Sequence, residues 1–457
     1  MGYSRVWTVQ DLGRLKQTIH RGERLDRWRV WQLSKGLLRL RAKVACMVMR
    51  HPARSLNIVG VTGTDGKTTT TELTAALLAT SGRRVSLINS LGASIVGLRV
   101  EPTWKLTTPG PFVLQGLLRW MKRCHSEWVI VEASSHGLAQ WRLGGVGFRI
   151  AVMTNVTPEH LDYHRDMAGY AAAKAVLIRN VISRRGTEGV TVLNRDDPSY
   201  PRFRRDAAGI CVNYGLGGEA DVRASSIDLD GERSTFEVAT PTDRFRVALA
   251  LPGLFNVYNA MAACAVGYSQ GVDQTVMAEG LSSVTRITGR MSPIIEGQSY
   301  SVVIDYAHTP NALEQVLRFY RPRVKGRIIL VFGCSGERDP GNRSAMGAIA
   351  GLLADYVVIT RADNRSESIH AINRAIAAGL DRAGRHEQVE YAILPDRREA
   401  IQHACDMANA GDLVLITGKG HETLLNIDGN EMPWNDCEVA SMAITRTLGR
   451  ALYSRNM

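Results

Sequence analysis

The run Gly60-Val-Thr-Gly-Thr-Asp-Gly-Lys-Thr-Thr-Thr70 constrains this chain more than any other stretch. Ahead of it, Ser55–Val61 is short, apolar and bounded by turn signals, which predicts a buried strand. Behind it, Thr71–Thr80 predicts a helix with Leu73, Leu77 and Leu78 along one face. A glycine-rich turn between a strand and a helix leaves backbone N–H groups free to cradle phosphates, and the helix N-terminus adds partial positive charge. Gly63, Thr64, Asp65, Gly66, Lys67, Thr68 and Thr69 are therefore candidate nucleotide-binding residues, with Lys67 reaching the β- and γ-phosphates and the Thr68 hydroxyl placed for Mg²⁺. Val61 stands where the strict G-x4-G-K-[ST] pattern has its first glycine. Gly-Lys-Thr at a strand–helix junction still favours phosphate binding over a purely structural turn.

Downstream, apolar runs of strand length alternate with helical patterns. Arg84–Asn89, Trp128–Glu132, Ile150–Asn155 and Val190–Asn194 read as strands, and Pro111–Cys124 and Met167–Val181 as helices. That βα alternation predicts a mostly parallel sheet with helices on both faces. Asp221–Asp228, Thr235–Thr240 and Phe245–Leu251 suggest a small antiparallel excursion, followed by helices over Asn256–Tyr268 and Thr275–Val284. A boundary is expected near Thr288-Gly-Arg290. Beyond it the alternation restarts with strands at Ser301–Tyr306, Arg327–Phe332, Tyr356–Thr360, Val389–Leu394 and Leu413–Thr417. The expected fold class is α/β: a P-loop central domain (55–288) with a mostly parallel sheet, then a second, Rossmann-like doubly wound domain (289–457). Asp305-Tyr-Ala-His308, Gly333-Cys-Ser-Gly336, Asp363-Asn-Arg365 and Gly418-Lys-Gly-His-Glu422 fall at the C-terminal ends of its strands, where open α/β sheets bind ligands.

The chain of 457 residues is 45% hydrophobic and 22% charged, values of a soluble globular protein of two or three domains. No run of 18 apolar residues and no secretory h-region occurs, and the seven scattered cysteines contain no C-x-x-C pair. A reducing cytoplasm is the expected location, and neither a zinc ribbon nor a disulfide framework is supported. The net charge is +12, but thirteen Lys/Arg against three acidic residues put +10 of it in residues 1–57. The overall charge thus does not suggest a nucleic-acid-binding body; it describes a basic arm over residues 1–54. Within it Val30, Leu33, Leu37, Leu40, Val44 and Val48 share one helical face, with Lys35, Arg39, Lys43 and Arg50 opposite, and His51-Pro52 should end the helix. Two readings stand: a helix packed on the next domain with its charges in water, or one docking on an anionic membrane surface or partner.

Glu132, in Glu-Ala-Ser-Ser-His136, and His160, in Thr-Asn-Val-Thr-Pro-Glu-His-Leu-Asp-Tyr-His164, end strands on the same sheet edge as the phosphate loop. Both are placed to reach a divalent cation there. Seven ordered motifs spanning about residues 55–440 then carry a resemblance: Thr64-Asp-Gly-Lys-Thr, Thr107-Thr-Pro109, Glu132-x-Ser-Ser-His, Thr154-Asn-x-Thr-x-x-His-Leu-Asp-Tyr-His, Tyr170-x-x-x-Lys174, Asp305-Tyr-Ala-His-Thr-Pro310 and Gly418-Lys-Gly-His-Glu422. With these the chain resembles the Mur ligases, and within them the MurE type that adds the third residue of the peptidoglycan stem peptide. The resemblance implies an ATP- and Mg²⁺-dependent, ADP-forming reaction. The acceptor carboxylate attacks the γ-phosphate, and an incoming amine displaces phosphate from the acyl phosphate. It implies Lys67 on the phosphates; Thr68, Glu132 and His160 serving Mg²⁺; and Lys174 carbamylated to support a second ion. Asn256, Arg290 and Asp305 match positions for the base, phosphate and ribose. Thr107, Thr108, Ser134, Gln140 and Arg142 match those holding the muramoyl-peptide acceptor. Arg338, the 362–365 stretch with Asp363 and Arg365, Gly418 and Glu422 match the amino-acid site.

Family members selecting diaminopimelate carry Asp-Asn-Pro-Arg before Ser-Glu; here Ala362-Asp-Asn-Arg365 precedes Ser366-Glu367. The arginine is kept and the proline is not, so diaminopimelate is the expected amino acid. MurE-type enzymes carry a whole uridine-diphosphate-gripping domain before the loop, and the 57 residues here are too few and too helical to build one. A lipid-linked or other non-UDP acceptor, met at the inner face of the membrane, is thus a further expectation. Two other ligases remain as alternatives: folylpolyglutamate synthase, which lacks the Thr-Thr-Pro and Gly-Lys-Gly-His-Glu set, and the lipid II-acting MurT type, whose cysteine-rich insertion is missing.

Overall fold

The computed structural model describes residues 27–183 and 186–455 apart from 103 and 105, with side chains over 36–450. An 11-stranded sheet occupies the first half: β1 (Asn57–Thr62), β2 (Val85–Asn89), β3 (Gly92–Ile95), β4 (Leu98–Val100), β5 (Trp128–Glu132), β6 (Ile150–Met153), β7 (Val190–Asn194), β8 (Ile210–Gly215), β9 (Val222–Leu229), β10 (Ser234–Ala239) and β11 (Arg244–Leu249). Their order is β11-β10-β9-β8-β7-β6-β1-β5-β2-β3-β4, which puts β1 at the centre. From β2 to β9 all neighbours pair parallel except at the two antiparallel ends, β2-β3-β4 and β9-β10-β11. The expected antiparallel excursion therefore extends the same sheet instead of standing apart. The β3–β4 hairpin, too short and too exposed at Leu98 to leave a period-2 signal, was not expected.

Each strand of a covered parallel sheet must satisfy an apolar layer on both faces. On β1, Val59 and Val61 join one buried cluster and Ile58 the other. Gly60 faces the second layer, where a Cβ would come 2.6 Å from Leu177 and 2.8 Å from Phe148. Its missing side chain lets the helix Met167–Arg179 press onto the sheet, and that helix carries Lys174. Its start is capped by Asp166, whose side chain accepts from Gly169 N at 2.7 Å.

The second sheet has order β12-β13-β17-β14-β15-β16, with β12 (Ser292–Pro293) antiparallel and β13 (Ser301–Ile304), β14 (Ile328–Phe332), β15 (Tyr356–Ile359), β16 (Tyr391–Ile393) and β17 (Leu413–Ile416) parallel. The strand expected at 389–394 is shorter because Val389 is exposed outside the sheet. The helix Asp436–Arg455 closes one face through a fully buried ion pair. Arg397 donates to Asp436 at 2.7 and 2.8 Å and to Thr417 O at 2.9 Å. Deleting one partner strands the other charge, so Asp436→Ala should destabilise the protein by about 3–5 kcal/mol. A denaturant titration with an unchanged midpoint would refute this.

The helix α1 (Arg27–Val48) docks on the first unit, but not by the face its pattern suggested. Ala42, Ala45 and Cys46 are buried, whereas Leu37, Leu40 and Val48 are more than half exposed. Small residues win because the surface beneath is the backbone of Gly144 and Gly145, which admits only a close approach. The side chains of Val30, Leu33 and Lys35, and everything in residues 1–26, lie outside the described residues. Among the described residues no helix is long and apolar enough to cross a membrane.

Candidate active site

The two sheets face each other across one cavity of about 590 Å³. From the first come Gly63, Thr64, Asp65, Gly66, Lys67, Thr68, Thr69, Thr107, Glu132, Ser134, Arg142, His160, Lys174 and Asn256. Arg290, Asp305, Arg338, Asp363, Arg365, Gly418 and Glu422 line the other side. Thr108 and Gln140 are not on the wall. Thr108 is fully buried, donates to Glu132 O at 2.9 Å and accepts from Ser134 N at 2.9 Å. Gln140 donates to Tyr163 at 3.1 Å and accepts from Arg142 Nε at 3.0 Å. Both hold neighbours that do face the cavity.

The loop follows from its glycines. Gly66 has φ 81, and a Cβ there would sit 2.2 Å from Asn259 Oδ1. A side chain is thus excluded twice, by backbone conformation and by contact. The helix Lys67–Thr80 opens directly behind it, four residues before the start expected at Thr71, with the four threonines Thr68–Thr71 making about one turn. Lys67 Nζ donates to Thr64 O at 2.7 Å. Thr68 Oγ1 donates to Glu132 Oε2 at 3.1 Å, Ser90 N donates to the same oxygen at 2.9 Å, and Arg290 donates to Thr68 Oγ1 at 3.1 Å. Parallel pairing of β1 with β5 fixes this arrangement by setting Glu132 opposite Val61.

The donor set fits a hard divalent cation: a buried carboxylate beside the hydroxyls of Thr68 and Ser90. Among the described residues no group of three or more His, Cys, Asp or Glu is arranged to cage a metal. Mg²⁺ commonly binds through one or two carboxylates together with waters and phosphate oxygens.

Lys174 is buried, with Nζ donating to Gly63 O and lying 4.4 Å from the Tyr170 ring centroid. Burial, then the Lys67 charge, hold its pKa well below the ordinary lysine value. His136 is pushed down to about 2 and His160 to about 3, both chiefly by burial, so both rings are neutral near pH 7. His160 takes a left-handed φ of 57.

Glu159 was overlooked although it directly precedes His160. Burial pushes its pKa up, but His160, His308 and Lys67 outweigh that and hold it well below the usual range. Its Oε1 lies 3.2 Å from both His160 Nε2 and His308 Nε2, and Tyr170 donates to Oε2 at 3.2 Å. Asp65 makes a second bridge between the sheets, accepting from Thr309 at 3.2 Å and Asn311 at 2.8 Å. Asn259, at helical i+3 spacing from Asn256, is the second residue absent from the sequence candidates, and this spacing marks it; it donates to Asn256 Oδ1 at 3.2 Å.

Asp305 accepts from the backbone N–H groups of Met291 and Ala307 at 2.8 Å, and burial raises its pKa despite Arg290. Arg290 stacks 4.4 Å over Tyr306, whose hydroxyl donates to Glu422 at 3.2 Å. At the far end Asp363 is saturated by Lys419 Nζ at 2.9 and 3.0 Å and by Asn426 N at 2.8 Å. Asn364 is buried and donates to Asp428 at 2.7 Å, away from the cavity. Arg365, at φ 52, donates only to Gly336 O at 3.2 Å among the described residues. Burial and then Arg338 lower its pKa, a sign of two guanidinium groups sharing one end of the cavity.

The Mur ligase middle domain matches residues 61–267, and the Mur ligase glutamate ligase domain matches 289–420. The UDP-N-acetylmuramoyl-L-alanyl-D-glutamate--2,6-diaminopimelate ligase of Syntrophomonas wolfei is 35% identical over 400 residues, covering 88% of this chain and 80% of that protein. The UDP-N-acetylmuramyl-tripeptide synthetase of Roseiflexus sp. is 38% identical over 414 residues, covering 88% and 81%. A solved diaminopimelate ligase of the first kind superposes with a TM-score of 0.57 at 33% identity, over 86% of this chain and 79% of that one. Mycobacterium tuberculosis folylpolyglutamate synthase superposes at 0.69 over 90% and 95%, but at 18% identity it shares the fold alone. Sequence, sheet topology and the loop facing the second sheet converge, and the chain belongs to the Mur ligase family of ATP-dependent, ADP-forming ligases.

Proposed function

We propose that this chain joins diaminopimelate to the peptide carboxylate of a muramoyl-dipeptide acceptor in peptidoglycan stem-peptide synthesis. One observation carries the reading: a single cavity runs from the Lys67 loop to Arg338, Arg365 and Glu422, so phosphates and an amino acid with two carboxylates can be held at once. In this reading 55–288 holds ATP and the acceptor, and 289–457 holds the amino acid. Thr68 and Glu132 hold one Mg²⁺, with His160 and Lys174 serving a second. The ions neutralise phosphate charge when bound. Lys67 screens the β- and γ-phosphates, and Arg290 adds a second positive charge beside Thr68. Asn256 lies at the base end of the cavity and Asp305 on the ribose side. Ser134, Thr107 and Arg142 hold the acceptor, with Thr108 and Gln140 setting Ser134 and Arg142.

The carboxylate oxygen attacks the γ-phosphorus and ADP leaves; the amine nitrogen then attacks the acyl carbon, phosphate leaves and the amine's proton passes to solvent or phosphate. Positioning dominates such a reaction, and the Glu159–His308 and Asp65–Asn311 bridges supply it by fixing one sheet against the other.

Incubation with ATP, Mg²⁺, UDP-muramoyl-L-Ala-D-Glu and diaminopimelate should release ADP in step with a tripeptide product seen by mass spectrometry. ADP release without condensation for any amino acid would overturn the proposal. Within it, Arg365 selects the distal carboxylate. Arg365→Ala should cost roughly 2–3 kcal/mol in kcat/KM for diaminopimelate, about 30- to 150-fold, and little for lysine. Equal use of lysine and diaminopimelate by the unmodified enzyme would remove that role.

A further inference from the structure

Seated on the body by its small residues, α1 turns its large apolar ones to solvent. Ala42, Ala45 and Cys46 are buried, and Cys46 donates to Gly144 O at 3.3 Å. On the other side Leu37, Leu40, Met47 and Val48 are 55–66% exposed. At 3.6 residues per turn these four and the half-buried Val44 span about 100° of the helix surface, opposite the docked side. Arg41 borders this stripe on one flank and Lys43 on the other. Both are exposed, and neither has an ion pair among the described residues. Arg39, by contrast, is committed to the Trp141 ring, 4.5 Å from its centroid.

The body cannot cover the stripe, because it already holds the opposite face. Charge then selects among the remaining occupants. Six of the 22 residues of α1 are Lys or Arg and none is acidic. A second copy of the helix would set cations against cations. A nucleic-acid surface would answer the charges and leave the leucines in water. A bilayer with anionic headgroups answers both, since its apolar chains lie directly beneath a layer of phosphates. No described helix is long and apolar enough to cross a membrane, which leaves α1 the plane of the interface.

We propose that α1 is an interfacial helix that docks the enzyme on an anionic lipid bilayer. Its apolar stripe enters the headgroup boundary, and Arg41 and Lys43 meet lipid phosphates on either side. The 141–145 turn that receives α1 also carries Arg142 on the cavity wall, so one turn joins the docked helix to the cavity.

The test needs no substrate, so its outcome is independent of the ligase reading. The full chain is floated with vesicles of mixed phosphatidylglycerol and phosphatidylcholine, and with phosphatidylcholine alone. Binding should be confined to the anionic vesicles and weaken with salt. Arg41→Gln with Lys43→Gln should weaken it about 25-fold, about fivefold for each basic residue. Leu40→Asn with Met47→Asn should weaken it about tenfold or more at unchanged net charge. Met442→Asn, a like change at an exposed position of the helix Asp436–Arg455, should alter nothing.

The proposal is overturned if the full chain ignores anionic vesicles, or if binding depends on the charges and not on Leu40 and Met47. A dimer in sedimentation velocity that the Leu40→Asn, Met47→Asn variant separates, with no vesicle binding, would assign the stripe to a second copy. A lowered Tm of that variant with vesicle binding unchanged would assign it to residues 1–26 of the same chain.

Discussion

Lys67→Ala should lower kcat/KM for ATP by about 10³-fold or more while the protein remains folded. The ammonium sits at the start of a helix whose N-terminal N–H groups already face the phosphate position, and it donates to Thr64 O in the same turn. In phosphoryl transfer the protein contributes mainly charge placement, so a lost cation appears almost wholly in the barrier; about 10³-fold corresponds to about 4 kcal/mol. Packing changes little, because the helix is anchored by Leu73, Leu77 and Leu78. Lys67→Arg should recover only part of the activity, since the planar fork cannot take the same place between Thr64 and the phosphates. Near-normal ADP release by Lys67→Ala would end the phosphate-binding assignment of this loop.

The second large effect is expected at Lys174. A buried lysine beside another lysine is costly as an ammonium, and both causes push it toward the neutral amine. A neutral amine can attack CO₂: the N–C bond forms, one proton is released to solvent, and an anionic carbamate replaces a cation. That exchange turns the repulsion from Lys67 into attraction and supplies oxygen donors for Mg²⁺. The kcat of Lys174→Ala should fall about 10³-fold, with recovery of about tenfold or more on adding acetate, whose carboxylate fits the vacated space. Mass spectrometry of the native protein should show added CO₂ that is lost on acidification. Full activity of Lys174→Ala without additive would exclude the role.

Much of this site was legible beforehand because its signals are local. Gly63–Thr69 is one continuous turn whose chemistry depends on backbone conformation. Glu132 could be placed on that edge from its strand end alone, since parallel strands bring their C-termini together; His160 does not end a strand, because β6 stops at Met153 and His160 instead caps the helix Leu161–His164. The same logic put Asp305, Gly333, Asp363 and Gly418 around one cavity. What the sequence did not show was which polar groups are already claimed by a partner far along the chain. Asp363 carries the charge of a substrate contact but spends it on Lys419, 56 residues away. Thr108 has a free hydroxyl in the sequence and none in the fold, because Glu132 O and Ser134 N claim it. Glu159 gains its importance from His308, 149 residues distant.

The α1 helix shows the division most sharply. Its 3-4 apolar spacing is real, yet Leu37 and Leu40 face outward and Ala42, Ala45 and Cys46 face inward. Periodicity reports how much hydrophobic area a face could bury, about 25 cal/mol per Å², and so favours the leucine side. It cannot report the shape of the surface that helix meets. Against the bare backbone of Gly144 and Gly145 close approach decides, and there a methyl or a thiol fits where a leucine does not. The sequence by itself therefore determined the helix, the α/β alternation, the phosphate loop and the family. Only the tertiary structure decided which face of that helix docks, which polar groups are already satisfied, and which charges, Lys67 and Arg142 among them, face the cavity, because each of these is a property of two surfaces in contact and not of one.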